Sequence, residues 1–378
     1  GELEIADLRV ERLGPAAEIA AAATAVQPAA LQARTRQIRQ CDLVVRVRDA
    51  SGRPVQGARV EVRQQRHAFL FGCNIFLLDP SNREPWQIEY QQRFAALLNY
   101  ATLPFYWGAY EPARGWTREM NLMAMARWCA EHGIAAKGHP LCWHEVWPSW
   151  APKTAEDAIP LLEARVKDLI PRFAEWVRYW DVWNEANVAT APRHIGTGIG
   201  DWVRRDGPAV PVMRALKWAR EVATPGVVLL YNDFDVTARN ERLLRTLAAS
   251  NALPDAIGIQ SHMHGGPWPI ERVWNVTERF AQFGRPIHFT EMTVVSGERR
   301  PGVPRKERYE PGEWPTTPEG EAAQADYVER VYRVLFSHPA VDAITWWDFS
   351  DRRAWKRAPA GWLREDMSPK PVYERLRR

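Results

Sequence analysis

The chain has 378 residues, of which 46% are hydrophobic, enough for one large domain with an appendage or for two average domains. Its 50 basic and 46 acidic side chains leave a formal net charge of +4, which gives no sign of the concentrated basic surface that binds nucleic acid. No apolar run reaches the roughly 18 residues of a membrane-spanning helix, and residues 1–9 lack a signal-peptide pattern, so we expect no membrane partner.

The N-terminal stretch is expected to be an appendage to a larger unit. It is rich in alanine and has helical spacing in Glu18–Ala23 and Ala29–Ile38. Asp42–Gln64 then alternates apolar with polar residues on both sides of a turn that contains Gly and Pro, which is typical of a β-hairpin. We predict an N-terminal helical segment with a β-hairpin over residues 1–66, and a second domain over residues 67–378.

The rest of the chain alternates short apolar segments with longer amphipathic ones. Eight short segments are predicted strands: Ala68–Cys73, Tyr100–Thr102, Ala135–His139, Tyr179–Asn184, Val227–Asn232, Ala256–Gln260, Pro286–Glu291 and Ala343–Asp348. Helices are predicted between them, among others at Met120–Glu131, Val210–Val222, Glu241–Ala249, Ile270–Phe283 and Glu321–Phe336. An open sheet would usually carry a Gly-rich phosphate turn after its first strand, and Asn74–Leu77 has none. The pattern therefore predicts an α/β fold, a (β/α)8 TIM barrel.

Side chains at the carboxyl ends of barrel strands form the functional face of this fold. The predicted strand ends collect carboxylates, imidazoles, amides and indoles: His139, Trp143, His144, Asn184, Glu185, Asn232, Asp233, Gln260, His262, Glu291, Trp347 and Asp351. Glycoside hydrolysis needs two carboxyl groups that flank the bond to be cleaved. Glu185 and Glu291, after the fourth and seventh strands, are the candidates for this pair.

Six segments in chain order resemble the strand-end motifs of glycoside hydrolase family ten, the xylanase family. They are Lys137–His144, Trp180–Glu185, Tyr231–Asp233, Gly258–His262, Ile287–Glu291 and Ile344–Asp351. Ser368–Pro371 is similar to the closing segment of that family, so the resemblance covers roughly Phe69 to Tyr373. It implies a retaining, endo-1,4-β-xylanase-like glycoside hydrolase that cleaves xylan or a related β-linked glycan or glycoside by double displacement.

The resemblance also implies a role for individual residues. Glu185 is the expected acid/base and Glu291 the expected nucleophile. The expected substrate-binding residues are His139, Trp143, Asn184, Gln260, His262, Trp347 and Trp355. A bond from His262 should keep Glu291 ionised, and the charge of Glu291 should keep Glu185 protonated. The implied partner is a carbohydrate, no metal or cofactor is expected, and the family suggests a secreted or periplasmic location.

One stretch departs from the family pattern. After the second strand the family usually has a Glu-Asn pair and a Lys that bind the glycone sugar next to the reacting one. This chain has Thr102–Pro112 at that place, which is shorter and lacks those groups. Phe105, Tyr106 and Trp107 there could either pack on the barrel or stack on a ligand. We therefore expect an atypical distal glycone subsite, and weak activity on unsubstituted linear xylan.

Three other functions remain open on the residues alone. A barrel that binds carbohydrate without turnover would keep the same aromatic and polar face, as would an exo-acting or aryl-β-glycosidase with little activity on linear xylan. The spacing of His262 and His264 could also indicate a metal-dependent hydrolase, although no set of Asp or Lys ligands accompanies it.

Two basic segments could face solvent or bind a substrate. The run Arg352–Arg357 and the loop Ser296–Trp314 are expected to form a solvated face, with a clamp for an acidic sugar substituent as the alternative.

The four cysteines form no C-x-x-C pair, which predicts mostly buried free thiols rather than a zinc site or a disulfide framework: Cys41, Cys73, Cys129 and Cys142.

Overall fold

Eight parallel strands close into a barrel in the computed structural model, which describes residues 16–194 and 196–378. The strands are β1 Leu70–Asn74, β2 Tyr100–Pro104, β3 Ala135–His139, β4 Val177–Asn184, β5 Val228–Asp233, β6 Ala256–Ile259, β7 Ile287–Val294 and β8 Val341–Trp346. They pair in the order β6-β5-β4-β3-β2-β1-β8-β7, and a further pairing of β6 with β7 closes the ring. The predicted (β/α)8 barrel is confirmed.

Helices follow the strands and surround the barrel. They are α1 Ala16–Ala25, α2 Pro28–Arg39, α3 Pro85–Leu97, α4 Trp107–Tyr110, α5 Glu119–Glu131, α6 Ala155–Arg172, α7 Gly198–Asp206, α8 Ala209–Val222, α9 Ala238–Ala249, α10 Ile270–Ala281, α11 Pro318–Phe336 and α12 Pro371–Arg377. Threonine hydroxyls accept a backbone N–H at the start of four of them, which satisfies one otherwise unpaired donor: Thr154, Thr197, Thr237 and Thr317. None of the described helices is long and apolar enough to cross a membrane.

The chain has 19 tryptophans, and most of them pack in the core. Trp180, Trp183 and Trp346 on the barrel strands are fully buried, and so are Trp202 and Trp362. Each large aromatic side chain removes on the order of 200 Å² of surface from water, so these rings contribute strongly to the apolar core. The tryptophan count by itself is therefore explained largely by the core.

The N-terminal helices dock on the amino-terminal end of the barrel. Helix α1 packs against α10, and α2 lies against α11. Arg39 donates to the carbonyl oxygens of Phe336, His338 and Val341, at distances of 2.6–3.1 Å, and so caps the end of α11 and the start of β8. These contacts lie at the face opposite the strand ends that carry the candidate site.

The predicted hairpin forms only at its turn. Val55 N–H donates to Val47 O at 3.1 Å, and Arg48 and Pro54 form one isolated antiparallel bridge, but no paired strands occur between residues 41 and 69. The valines of this segment are exposed, Val44 by 75% and Val62 by 63%. A two-stranded hairpin needs a surface on which to bury one face, and this segment has none in the described chain.

Candidate active site

All nine predicted site residues line one cavity of about 1100 Å³ at the carboxyl ends of the strands. They are Glu185, Glu291, His139, Trp143, Asn184, Gln260, His262, Trp347 and Trp355. The two carboxylates lie at the floor, where Glu185 is 8% and Glu291 4% exposed. The barrel therefore brings together side chains that are up to 216 positions apart, between His139 and Trp355.

Local backbone distortion directs Glu185 into this cavity. The pairing of β4 with β5 shifts register between Asp181 and Trp183, and Glu185 itself has a left-handed φ of 57°. Its N–H donates to the carbonyl oxygen of Asn232, at 2.9 Å, which holds the turn in place. A left-handed non-glycine residue costs on the order of 1 kcal/mol or more, and such strain is concentrated at functional sites.

Two amide side chains connect the two carboxylates. Asn184 Nδ2 donates to Glu185 Oε1 at 3.2 Å, and Asn184 Oδ1 accepts a bond of 2.8 Å from Asn232 Nδ2. Asn232 Nδ2 also donates to Glu291 Oε1 at 2.6 Å. This chain of bonds fixes the two carboxyl groups relative to each other across β4, β5 and β7.

Glycine at position 258 makes room for this bridge. A Cβ atom at Gly258 would lie only 2.5 Å from Oδ1 of Asn232, on the adjacent strand. Thr290 Oγ1 donates to the same Asn232 oxygen, so the amide is held in one orientation with its nitrogen toward Glu291. The Gly258–His262 motif thus contributes both an empty position and, at Gln260, a further donor.

Glu291 is held by hydrogen-bond donors and lies near positive charge. His262 Nε2 lies 3.1 Å from Glu291 Oε2, and its Nδ1 lies 2.9 Å from the hydroxyl of Thr293. His139 Nε2 is 3.9 Å from Glu291 Oε1. Burial favours the neutral acid, but His139 and the bond from His262 outweigh it and lower the pKa of Glu291 below its usual value. Glu291 is therefore poised as a carboxylate.

A buried ion pair orients His139. Lys137 Nζ lies 2.8 Å from Asp181 Oδ2, and both side chains are fully buried inside the barrel. The same carboxylate oxygen accepts from His139 Nδ1 at 2.7 Å, so this nitrogen carries a proton. A buried carboxylate with two donors keeps its charge, and the pKa of Asp181 is indeed below its usual value because Lys137 and His139 outweigh burial.

Glu185 has the opposite electrostatic environment. Gln260 Nε2 donates to Glu185 Oε1 at 2.8 Å, which partly offsets the cost of burial. Burial, together with the nearby charges of Glu291 and Asp233, still raises the pKa of Glu185 to about 8. Two carboxyl groups with pKa values moved in opposite directions is the arrangement that separates a proton donor from a nucleophile.

Other cavity residues were not among the predicted site residues. Asp348, at the end of β8, has a left-handed φ of 74° and accepts from the Trp355 N–H at 2.7 Å, and burial raises its pKa to about 7. Asn74 lies 3.4 Å from the same carboxyl group. Both follow strand ends, which is the signal that could have identified them. Trp143 Nε1 is buried without a hydrogen-bond partner in the described structure and is available to a ligand hydroxyl.

The aromatic segment after β2 divides between packing and the cavity. Phe105 is fully buried between Phe173 and Trp180, and Trp107 packs on Trp147 with 6% exposure, so neither can stack on a ligand. Tyr106 alone lines the cavity, with its ring 5.4 Å from that of His139. Packing and stacking were both open for these residues; Phe105 and Trp107 pack, and only Tyr106 can contact a ligand in the cavity.

One group of side chains has the composition of a metal site, and it does not include His262 or His264. Within residues 16–194 and 196–378, the only group of three or more His, Cys, Asp or Glu side chains whose ligand atoms all lie within 4.8 Å of one another is His144, Glu145 and His194. The guanidinium of Arg193 donates to His194 Nε2 at 3.0 Å, which occupies the lone pair that a cation would need. We therefore assign this group no metal-binding role.

The cysteines are all free thiols. Cys73, Cys129 and Cys142 are buried, and Cys41 is exposed. Burial raises the pKa of Cys142, next to the cavity, to about 12, so this thiol is inert at neutral pH.

Comparisons with known proteins agree with this geometry. The family model of glycosyl hydrolase family 10 matches residues 87–378. Endo-1,4-beta-xylanase B of Thermotoga neapolitana is 28% identical over 267 residues, which cover 65% of this chain and 70% of that protein. Anti-sigma-I factor RsgI6 of Acetivibrio thermocellus is 25% identical over 349 residues, which cover 89% of this chain and 40% of that protein.

The fold is shared with solved structures of the same kind. Xylanase 10B from Thermotoga petrophila RKU-1, solved in complex with xylobiose, superposes with a TM-score of 0.66 at 22% identity, over 82% of this chain and 94% of that chain. The chain spans only 35% and 37% of the lengths of two further relatives named as xylanases. The family match extends over most of the chain and takes in all six strand-end motifs in full, from Lys137–His144 to Ile344–Asp351. This chain therefore belongs to glycosyl hydrolase family 10.

Proposed function

We propose that this protein is a retaining β-glycoside hydrolase that cleaves xylan or a related β-linked glycan, with Glu291 as nucleophile and Glu185 as acid/base. The observation that carries the proposal is the pair of carboxyl groups on one amide bridge, with pKa values moved in opposite directions. The names of the relatives support xylan as the substrate class.

The proposed reaction has two steps. Glu291 attacks the anomeric carbon while Glu185 transfers its proton to the departing oxygen, which forms a glycosyl ester on Glu291. Esterification removes the charge of Glu291, so the pKa of Glu185 falls and its carboxylate can accept a proton from the attacking water. We expect Asn184, whose amide donates to Glu185 Oε1, to bind the 2-hydroxyl of the reacting sugar as well.

The stereochemistry of the product tests this proposal. Two displacements at one carbon restore the starting configuration, so proton NMR should show the β anomer as the first product, before mutarotation. An α anomer formed first would contradict the covalent mechanism and indicate direct attack by water.

The pH profile of kcat/KM tests the assignment of the two roles. Glu185 must be protonated, so activity should be present below a pH of about 8 and be lost as the pH rises through that value. Glu291 must be ionised, so the acid limb should lie below the usual range of a glutamate. The Glu185→Gln variant, assayed on an activated aryl glycoside, should lack the alkaline limb. An alkaline limb that persists in this variant would assign it to another group.

A carbohydrate-binding barrel without turnover is the second candidate. The similarity that extends over 89% of this chain is to a protein whose name is that of an anti-sigma factor and not of a hydrolase, which keeps this candidate open. Assays for reducing sugar on polysaccharides and for nitrophenol on aryl glycosides separate the two functions, because a binding protein releases neither. The same assays with a chelator address a metal-dependent hydrolase, which would lose activity where we expect no loss.

A further inference from the structure

A second cavity of about 610 Å³ lies beside the first. Four cationic side chains and two aromatic rings line it: Arg299, Arg305, Lys306, Lys356, Tyr309 and Trp314. Trp314 and Tyr309 are largely buried, and their rings lie 4.8 Å apart in an edge-to-face contact. The cavity therefore has an ordered aromatic wall and a basic lining.

The positive charge of this cavity is only partly neutralised. Lys306 pairs with Glu313 at 2.6 Å, and Lys356 pairs with Glu307 at 3.1 Å. Among the described residues, Arg299 and Arg305 have no carboxylate within ion-pair distance. The side chain of Glu307 is 92% exposed, so its pair with Lys356 contributes little and can be exchanged for another anion. The cavity thus favours a negatively charged ligand.

The second cavity is continuous with the candidate active site. Glu307 and Lys356 line both cavities. Trp355, which precedes Lys356, lies between them, with its ring 4.7 Å from His262 and 5.0 Å from His264. His264 lines the second cavity, and its Nε2 is buried without a hydrogen-bond partner in the described chain. A ligand that enters both cavities would pass over Trp355.

The backbone that carries Lys356 is strained and braced. Arg353, Lys356 and Arg357 all have left-handed φ values, of 56°, 60° and 53°. The carbonyl oxygen of Lys356 accepts from the N–H of Tyr309 at 3.0 Å, which ties this segment to the loop that forms the other side of the cavity. Three left-handed non-glycine residues persist only where the surrounding structure holds them, which points to a built site rather than a solvated face.

We infer that the second cavity binds an acidic sugar branch, a uronic acid, of a glycan whose main chain occupies the first cavity. Guanidinium groups bind carboxylates with paired hydrogen bonds, and the aromatic wall offers an apolar face to a sugar ring. The volume suffices for one monosaccharide with water. This inference rests on the proposed function, and it assigns the basic loop to the substrate rather than to solvent.

The test uses a matched pair of xylo-oligosaccharides. One carries a single uronosyl branch, and the other is the same compound with the carboxyl group reduced to a neutral alcohol. The wild-type enzyme should prefer the charged compound by about 10-fold or more in kcat/KM, as the loss of a charge-assisted bond predicts. The preference should fall toward 1 in Arg305→Ala and in the Arg299→Ala, Arg305→Ala double variant.

The preference is the ratio of kcat/KM on the two compounds for one variant, so a loss of active protein lowers both values equally and leaves the ratio unchanged. Arg178→Ala, an exposed arginine at the opposite end of the barrel, should keep the wild-type preference. Equal efficiency of the wild-type enzyme on both compounds would overturn the inference while leaving the proposed function intact. If neither compound is cleaved, the proposed function fails. Calorimetry then measures the affinity of the protein for each compound, and equal affinities would overturn the inference about the second cavity.

Discussion

Replacement of Glu291 by alanine should abolish turnover on every substrate, including glycosides with activated leaving groups. Without its carboxylate no glycosyl ester can form, so the first step has no route that a better leaving group could rescue. Loss of a catalytic nucleophile lowers kcat by about 10⁴- to 10⁶-fold. The measurement is kcat on an aryl xyloside and on a xylo-oligosaccharide, with the variant purified apart from wild-type enzyme.

Two control variants distinguish loss of the catalytic carboxylate from misfolding of the protein. Glu291→Gln keeps the volume, and its amide oxygen can accept from Asn232 while its amide nitrogen donates to His262 Nε2 in the other imidazole tautomer. It should therefore fold like the wild type and be equally inactive. Glu329→Gln changes a glutamate on the outer surface of α11 and should have wild-type activity. Near-normal turnover by a folded Glu291→Gln protein would rule out Glu291 as the nucleophile.

Replacement of Glu185 by alanine should slow the hydrolysis of substrates whose leaving group must be protonated far more than that of substrates whose leaving group departs as a stable anion. A sugar leaving group must be protonated as it departs, so kcat/KM on xylo-oligosaccharides should fall by about 10²- to 10⁴-fold. A dinitrophenyl leaving group departs as an anion, so its glycosylation step should be nearly unaffected. The dependence of kcat/KM on leaving-group pKa should therefore become much steeper in Glu185→Ala.

The second step provides an independent readout for the same variant. Water lacks its general base in Glu185→Ala, so the glycosyl ester should accumulate and give a burst of the aryl product. Azide needs no base and should restore kcat, with a β-glycosyl azide as the product. Rescue by azide that yields an α-glycosyl azide would instead assign Glu185 the role of nucleophile.

The secondary structure was largely predictable because the strand signals are local. The eight short apolar segments became the eight barrel strands, and β3 has the predicted bounds, Ala135–His139. The hairpin between residues 42 and 64 was not predictable, because its alternating pattern is the same whether or not a partner surface exists. The five helices named in advance end within three residues of their predicted limits.

The candidate site was predictable where residue type and strand end coincide. Glu185, Glu291 and Asn184 all follow this rule. Asn232 follows it too, but its bridging role depends on empty space at Gly258, which lies on another strand. Asn74 had a strand-end position without a distinctive motif, and Asp348 lay inside the Ile344–Asp351 motif but was not singled out.

The sequence by itself determined the class of fold, the family and the residue types at the strand ends, because hydrophobic periodicity and ordered motifs are local properties of the chain. Only the tertiary structure decided which of these residues act on one another. Burial raises the pKa of both Glu185 and Glu291, and the two values move apart because His139 and His262 lie beside Glu291, whereas Glu185 lies near the negative charge of Glu291 itself. Tertiary packing also buried Phe105 and Trp107 while leaving Tyr106 in the cavity, and it brought Lys356 of the basic run to a second cavity. Such choices depend on contacts between segments far apart in the chain, which no local pattern encodes.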